Sequence, residues 1–179
     1  MTAMRKTLSH CLRHFRQDQG GTVLVEMALI VPLMVVLSAG IFEFGRFLHD
    51  KLLVEAGLSD AARFAARCNS QLYTDNGLTA INCATLAASI AVYGKIGGTT
   101  TDTPRVVGWQ ASDVTINSST CVNAVDPGTG TVLYLSTTSQ VCVVTASTNF
   151  HYQDLGMLSL VGVSSITVGG QHQERLIRF

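Results

Sequence analysis

A single carboxylate stands inside a long apolar stretch of the sequence, and its chemistry requires a partner. Residues 22–42 include 16 apolar side chains among 21, and Glu26 is the one charged residue there. As a helix rising about 1.5 Å per residue, 21 residues extend over about 31 Å, the thickness of a bilayer's hydrocarbon core. A carboxylate inside such a segment costs roughly 2.5–3.5 kcal/mol on insertion scales. We therefore predict a function for Glu26 and a cation as its partner.

The charges that flank this stretch indicate how it would lie in a membrane. The 12 Lys and Arg residues balance the 12 Asp and Glu residues overall, but residues 1–21 carry a net charge of +3 and the remainder −3. The positive-inside rule predicts a cytoplasmic N terminus and export of everything after residue 42. A cleaved secretory signal is disfavoured, because the apolar run is too long and no A-x-A-like site precedes the folded part.

Four cysteines lie beyond the apolar stretch, where the topology predicts an oxidising space. Four cysteines allow three pairings. We expect Cys68–Cys83 and Cys121–Cys142, because each of these bridges ties neighbouring elements together. A zinc site built from all four thiolates is disfavoured, since no C-x₂₋₄-C spacing is present, and we expect no metal.

The residues at the start of the apolar stretch resemble a known processing site. The sequence GGTVLVE at residues 20–26 is similar to the site in type IV pilin-like precursors. There a prepilin peptidase cuts after a glycine on the cytoplasmic face, and a glutamate is fifth in the mature chain. A cut after Gly21 makes Thr22 the first residue and Glu26 the fifth, whereas a cut after Gly20 makes Glu26 the sixth. The resemblance implies that residues 1–21 are a cleaved leader and that the Thr22 amine pairs with Glu26, which sets the register between subunits.

The longer segment of residues 20–67 resembles the TadE-like minor pilins, or pseudopilins, of the tight-adherence (Tad) pilus system. The matching features are V-E-x-A-L at 25–29, Pro-Leu at 32–33, Glu-Phe-Gly-Arg at 43–46 and Ala-Ala-Arg at 61–63 and 65–67. The implied partners are a prepilin peptidase, the major pilin, other minor pilins, the inner-membrane assembly platform and membrane lipid. The implied location is the bacterial inner membrane, single-pass, with a cytoplasmic N terminus and a periplasmic or extracellular head. The implied role is to initiate a pilus for adherence and biofilm formation.

The apolar stretch is predicted to continue into an amphipathic helix. Residues 22–45 would form the transmembrane and assembly part, and residues 46–67 an extension that lays alanines 61–62 and 65–66 on a head. Pro32 removes a backbone donor, so a kink is predicted there. Three oppositely charged pairs are spaced as ion pairs on the helix surface: Arg46 with Asp50, Lys51 with Glu55, and Asp60 with Arg63.

Residues 68–179 are predicted to form an exported, disulfide-tied head of class α+β. A second helix is expected at 78–93, stopped by Gly94, and a turn at Asp126. Strands are expected at 105–109, 114–117, 131–135, 140–147 and 165–168. Because the helices come first and the strands follow, we expect an antiparallel sheet rather than a βαβ layer. The predicted fold is pilin-like, a long N-terminal membrane helix that continues into a small head.

Composition and motifs narrow the function classes. A neutral charge balance and a single Trp argue against nucleic-acid binding, which needs a basic stripe. No nucleophile, base or ligand cluster has catalytic spacing, so we expect neither an enzyme nor a cofactor. The leading hypothesis is a minor pilin or pseudopilin, processed by a prepilin peptidase and needed to assemble a Tad-type adhesive pilus. The alternative is a signal-anchored exported binding module, in which the helix is only a tether.

Overall fold

The computed structural model describes residues 20–135, 139–158, 162–163 and 166–177 of the 179-residue chain. The elements in chain order are helices α1 (Gly20–Arg67), α2 (Ser70–Asp75) and α3 (Cys83–Tyr93), a 3₁₀ turn (Ala111–Asp113), and strands β1 (Val114–Asn123), β2 (Gln140–His151) and β3 (Thr167–Arg175). The chain divides between residues 42 and 43 into two compact units. The predicted class is confirmed: a long apolar N-terminal helix, a further helix and an antiparallel sheet of three strands.

The described part of the first unit, residues 20–42, is helical throughout. The helix α1 is continuous through Pro32, although Pro32 contributes no backbone N–H donor. The helical stretch Gly21–Arg67 is long and apolar enough to cross a membrane, and no residue in its most apolar window is buried.

The second unit, Glu43–Phe179, is built on a sheet with the strand order β1-β2-β3. Both neighbouring pairs of strands are antiparallel. Asn117 pairs with Thr145 and Thr120 with Val143, so β1 contains one residue more than β2 over this interval. This extra residue is a β-bulge in an edge strand. The Asn117 carboxamide oxygen accepts the N–H of Ser119 at 2.9 Å, which stabilises the bulged backbone.

The core of the second unit lies between the second half of α1, helix α3 and the sheet. The predicted alanine face is confirmed, because Ala61, Ala62, Ala65 and Ala66 are at most 5% exposed. The largest side chain of the core belongs to Trp109, whose indole Nε1 donates to the Thr148 hydroxyl at 2.9 Å. Other fully buried core side chains are those of Val54, Leu58, Val92, Val144 and Val168.

The predicted second helix is confirmed at its end and wrong at its start. The left-handed backbone of Gly94 caps α3, as the sequence predicts. The helix begins at Cys83 rather than at residue 78, because the Asn82 side chain accepts the backbone N–H of Thr85 and caps the N terminus there. The short helix Ser70–Asp75 was not predicted.

Two of the predicted strands are absent as strands, and a third lies in a different place. Residues 105–109 form a turn, since Gly108 has a φ of +86° and the Arg105 N–H donates to the carbonyl oxygen of Val92. Residues 131–135 contribute one isolated bridge, Val132 to Val125. The last strand runs over Thr167–Arg175, further than the predicted 165–168; residue 165 lies outside the described residues. β1 and β2 start where predicted and extend further.

The charged surface of α1 also differs in part from prediction. Two of the three expected ion pairs are present, Arg46–Asp50 at 3.7 Å and Lys51–Glu55 at 3.4 Å. The third is wrong. Asp60 instead binds Arg105 at 2.6 Å and Arg63 binds Glu174 at 3.3 Å, because folding brings these distant partners against the helix.

Candidate functional site

The candidate site is the apolar surface of residues 22–42 on α1. Its large apolar side chains are exposed by between 43% at Ile30 and 74% at Leu29. A contiguous surface of this kind is typical of a membrane or protein contact. Twelve Leu, Ile, Val and Phe residues favour insertion by roughly 4–7 kcal/mol in total, against roughly 3 kcal/mol for one carboxylate. The helix can therefore enter a bilayer with Glu26 in place.

Thr22 and Glu26 lie one turn apart on the same side of α1, separated by about 6 Å along its axis. Glu26 is exposed and makes no ion pair with another residue in the described part of the chain. A Cβ atom at Gly21 would meet nothing within 4 Å. Glycine in a helix costs about 0.5–1 kcal/mol relative to alanine, and packing against the residues that the structure describes gives no reason for glycine at this position.

Two further predictions concern the leader and the helix kink. Residues 1–19, which make up most of the predicted leader, lie outside the described residues. Pro32 lies inside α1 at the middle of the exposed apolar surface, and the kink predicted there stays a prediction.

Glu43 is a residue that the sequence analysis did not identify as part of a site. It is only 2% exposed, and its carboxylate oxygens accept the backbone N–H of Leu155 at 3.3 and 3.2 Å. The signal that could have revealed it is its position as the first charge after the uncharged residues 27–42. A buried carboxylate at such a boundary needs a donor, and here a backbone amide from a distant loop supplies it.

Tyr152 lies beside this carboxylate. Its ring packs edge-on against Phe47, with centroids 5.4 Å apart and an interplanar angle of 88°. Burial, reinforced by the Glu43 carboxylate, raises the pKa of Tyr152 to about 12. The buried hydroxyl makes no hydrogen bond with any residue that the structure describes. The Glu43 carboxylate thus lies close to the Tyr152 hydroxyl while its oxygens accept the Leu155 amide.

The structure joins the cysteines in the pairing chosen from the sequence. Cys68–Cys83 links the end of α1 to the first residue of α3. Cys121–Cys142 joins directly paired residues of β1 and β2. The two bridges close loops of 15 and 21 residues, which corresponds to a contribution of about 3 kcal/mol each in the chain-entropy model.

The head also has an open recess of about 690 Å³ beside the start of β1, lined by Ser112, Asp113, Thr115, Ser147, Thr148, Asn149, Gly170 and Gln171. The Asp113 carboxylate accepts the N–H of Gln110 at 2.9 Å, so it serves as a cap of the 3₁₀ turn. Elsewhere, the backbone N–H groups of Thr129 and Gly128 lower the pKa of Asp126, which closes the predicted turn. In the described ranges no three His, Cys, Asp or Glu residues are grouped to hold a metal.

Comparison with known proteins finds a family match that lies within α1. Residues 21–63 match the family model described as TadE-like protein. No curated protein matches the chain, and no solved structure matches it. The matched segment contains Gly21, Thr22, Glu26, Pro32 and Glu43. The resemblance drawn from the sequence is therefore confirmed over residues 21–63: this segment is similar to the TadE-like family, which is consistent with a TadE-like protein of the Tad pilus system.

Proposed function

We propose that the protein is a minor pilin or pseudopilin, cut by a prepilin peptidase after Gly21 and needed to assemble a Tad-type adhesive pilus. The TadE-like match supports a Tad pilus-associated protein in the first place. The observation that carries the finer proposal is the position of Glu26, the fifth residue after Gly21 on an exposed, otherwise uncharged apolar helix. In the proposed division, 1–21 is the leader, 22–45 the membrane and assembly helix, 46–67 its extension and 68–179 the head.

Processing would change the electrostatics of the helix start. Cleavage after Gly21 leaves an α-amine on Thr22, and the N terminus of a helix adds its own partial positive charge. Both favour a carboxylate one turn away, where Glu26 stands. In an apolar phase this attraction is screened little. When the amine and the carboxylate belong to neighbouring subunits, their pairing fixes the axial register between the two helices.

The glycine before the cut has a reason under this proposal. A Cβ atom at Gly21 would meet nothing within 4 Å in the described chain. We therefore attribute the glycine to recognition by another protein, here the peptidase. The remaining partners are the major pilin, other minor pilins, the inner-membrane platform and lipid around the apolar helix. The role is structural rather than enzymatic, and the two disulfides of the head suit an exported, oxidising location.

Mass spectrometry of membrane-extracted protein tests the processing step. In cells with an active prepilin peptidase we expect a mature N terminus at Thr22, and in cells without it an intact segment 1–21. A Gly21→Ala variant should accumulate uncut. Gly45→Ala, on the same helix and equally free of contacts, is the matched control and should be cut normally. A mature N terminus at any residue other than Thr22, including a cut after Gly20, would contradict the proposal.

A helix exchange separates this function from that of an anchored binding module. Residues 22–42 are replaced by a neutral membrane helix of equal length, with Glu43 and the rest of the second unit unchanged. A tethered module would keep its activity in adherence, whereas a subunit that assembles through this helix would lose piliation. Normal pili in the exchanged chain would favour the tether.

A further inference from the structure

The chain between β2 and β3 contains an apolar surface that the proposed function does not use. We call its described residues, 155–158 and 162–163, the apolar loop. Leu155 is 51% exposed and Val163 43% exposed, while Met157 and Leu158 are half-buried. No Asp, Glu, Lys or Arg occurs between Asp154 and Glu174 in the sequence. The described part of this loop therefore exposes apolar side chains and no charged ones.

The position of this loop within the second unit is fixed by Glu43. The Leu155 N–H, at the first residue of the loop, donates to both carboxylate oxygens of Glu43. One turn further along α1, Phe47 packs against Tyr152, just before the loop. These two contacts hold the start of the loop at residues 43–47 of the helix.

Residue 43 is also where the uncharged part of α1 ends. Residues 27–42 carry no charge, and Glu43 is the first ionisable residue after them along the same continuous helix. A span inserted up to this point reaches the lipid headgroup boundary near residue 43. Because Glu43 follows Phe42 directly in the chain, the Leu155 amide that binds Glu43 lies near the depth at which apolar side chains meet the edge of the hydrocarbon.

A loop inserted into a membrane must also pair its backbone polar groups. Irregular backbone at membrane depth is tolerated only where its polar groups find partners within the protein. The Leu155 amide, which begins the loop, has such a partner in Glu43, and Glu43 is itself buried rather than facing lipid. The Val163 N–H donates to the Leu158 carbonyl oxygen at 3.0 Å, which closes the loop on itself.

We propose that the apolar loop is a second lipid-contact surface, inserted into the interfacial layer of the bilayer and held there by the hydrogen bond from the Leu155 amide to the Glu43 carboxylate. The occupant is lipid rather than a second subunit, because the loop is bound to α1 at Glu43, where the uncharged stretch of that helix ends. This inference rests on the proposed membrane anchorage of α1. It does not depend on peptidase processing or on the Glu26 pair.

Fluorescence quenching by brominated phosphatidylcholine tests the contact. The full chain is reconstituted into vesicles of phosphatidylcholine and phosphatidylglycerol, with and without bromine on the acyl chains near the headgroup. A tryptophan is introduced as Leu155→Trp, which keeps the backbone amide that Glu43 binds. Trp109 is 1% exposed in the core, so it gives a constant background in every variant. We expect the Leu155→Trp variant to lose emission in brominated vesicles beyond the loss of the parent chain.

Two further variants make each outcome decisive. Leu135→Trp is the matched control, because Leu135 is 90% exposed. It follows Tyr134, whose ring lies under Arg175, and Arg175 pairs with Val143 near the start of β2. The apolar loop follows His151 at the other end of that strand, about 26 Å from Val143 at 3.3 Å per residue. We expect no extra quenching for this control. Leu37→Trp, within the span, must be quenched.

The outcomes separate the inference from the anchorage on which it rests. Quenching of Leu37→Trp without quenching of Leu155→Trp beyond the Leu135→Trp control would overturn the lipid contact and leave the anchorage standing. An unquenched Leu37→Trp would overturn both. A blue shift of the Leu155→Trp emission that grows with the protein-to-lipid ratio, without quenching, would assign the loop to a protein contact and also overturn the inference.

The positioning role of Glu43 is tested by measuring the quenching of the introduced tryptophan in chains that carry Leu155→Trp and a second substitution. Glu43→Gln keeps an oxygen that accepts the Leu155 amide, so quenching should persist. Glu43→Ala removes that acceptor, and quenching should fall, whereas Glu55→Ala on the exposed side of the same helix should leave it unchanged. Near-ultraviolet circular dichroism, compared with that of the Leu155→Trp chain, checks that each head is folded. Undiminished quenching in a folded Glu43→Ala variant would overturn the positioning role.

Discussion

Gly57 on α1 lies so close to Trp109 that a Cβ atom at position 57 would stand 2.9 Å from Cη2 of the indole. The same atom would stand 2.4 Å from the carbonyl oxygen of Ala91 on α3, a separation that real Cβ atoms essentially never show. The close approach of α1, α3 and the tryptophan that fills the core thus depends on a missing side chain. Because the Ala91 contact is with backbone, a rotamer change cannot relieve it.

Gly57→Ala should therefore destabilise the head by about 1–3 kcal/mol, the usual cost of overpacking a core. The measurement is the urea midpoint of the detergent-solubilised chain, followed by Trp109 fluorescence. Gly45→Ala makes the same change on the same helix where a Cβ meets nothing, and there we expect a gain of about 0.5–1 kcal/mol. Equal effects at the two positions would contradict the packing argument.

Glu26 should matter for assembly and not for folding of the head. Glu26→Gln removes the charge while keeping the shape, so breaking one side of a buried pair should cost about 3–5 kcal/mol per subunit contact. We expect normal processing and a strong loss of pili, counted by electron microscopy and surface labelling. Glu55→Gln, an exposed carboxylate paired with Lys51, should leave piliation unchanged. Normal pili in Glu26→Gln would remove the register role.

The two disulfides should contribute similarly to stability. The double variants Cys68→Ser/Cys83→Ser and Cys121→Ser/Cys142→Ser should each lower the free energy of unfolding by about 3 kcal/mol, since they open loops of 15 and 21 residues. Chemical denaturation under non-reducing conditions gives the value. Peptide mapping of the parent chain should recover the two bridges, and a crossed pairing such as Cys68 with Cys142 would refute the arrangement.

Asp102 should give the stability a specific pH dependence. Hydrogen bonds from the Lys95 ammonium and then from the Thr99 backbone amide lower the pKa of Asp102 below its ordinary value of 3.8. Because the folded pKa lies below the unfolded one, the contribution is present above pH 3.8 and is lost as the pH falls through the folded value. The difference in urea midpoint between the parent chain and Asp102→Asn should therefore be largest near neutral pH and vanish in strong acid.

The control for this titration is Asp154→Asn, at an exposed carboxylate. Near neutral pH this change should leave the urea midpoint of the parent chain unaltered. If the difference between Asp102→Asn and the parent persisted unchanged in strong acid, the ionised carboxylate would not be its source.

Tyr152→Phe should stabilise the chain. The buried hydroxyl lacks a hydrogen-bond partner among the described residues, and a buried unpaired donor costs about 1–3 kcal/mol. The edge-on packing against Phe47 needs only the ring. We expect a higher midpoint of thermal unfolding. A lower midpoint would indicate that the hydroxyl does bond the Glu43 carboxylate and that this bond contributes to stability.

The parts of the fold that the sequence predicts are those with local causes. The C terminus of α1 at Arg67, the alanine face and the Gly94 cap follow from periodicity and from one residue's backbone preference. The position of Glu26 relative to Gly21 is likewise a matter of spacing along the chain. The disulfides could be predicted because each bridge ties elements that neighbour each other along the chain.

The parts that the sequence does not predict depend on partners far away in the chain. The run Gly169-Gly170-Gln171-His172 has poor strand propensity, yet it becomes a strand because β2 pairs with it and because α1 packs against Gly170 through Leu58. Asp60 and Arg63 were assigned to each other, since their true partners are 45 and 111 residues distant. The role of Glu43 could not be predicted for the same reason. Its hydrogen-bond donor is the backbone amide of Leu155, 112 residues away.

The bulge in β1 has a consequence for behaviour at high local concentration. β1 is an edge strand of ten residues, and an unbroken edge of that length offers a row of backbone groups on which another chain can add a strand. The extra residue between Asn117 and Thr120 interrupts that row. Heads at high local concentration are thereby discouraged from joining their sheets through β1.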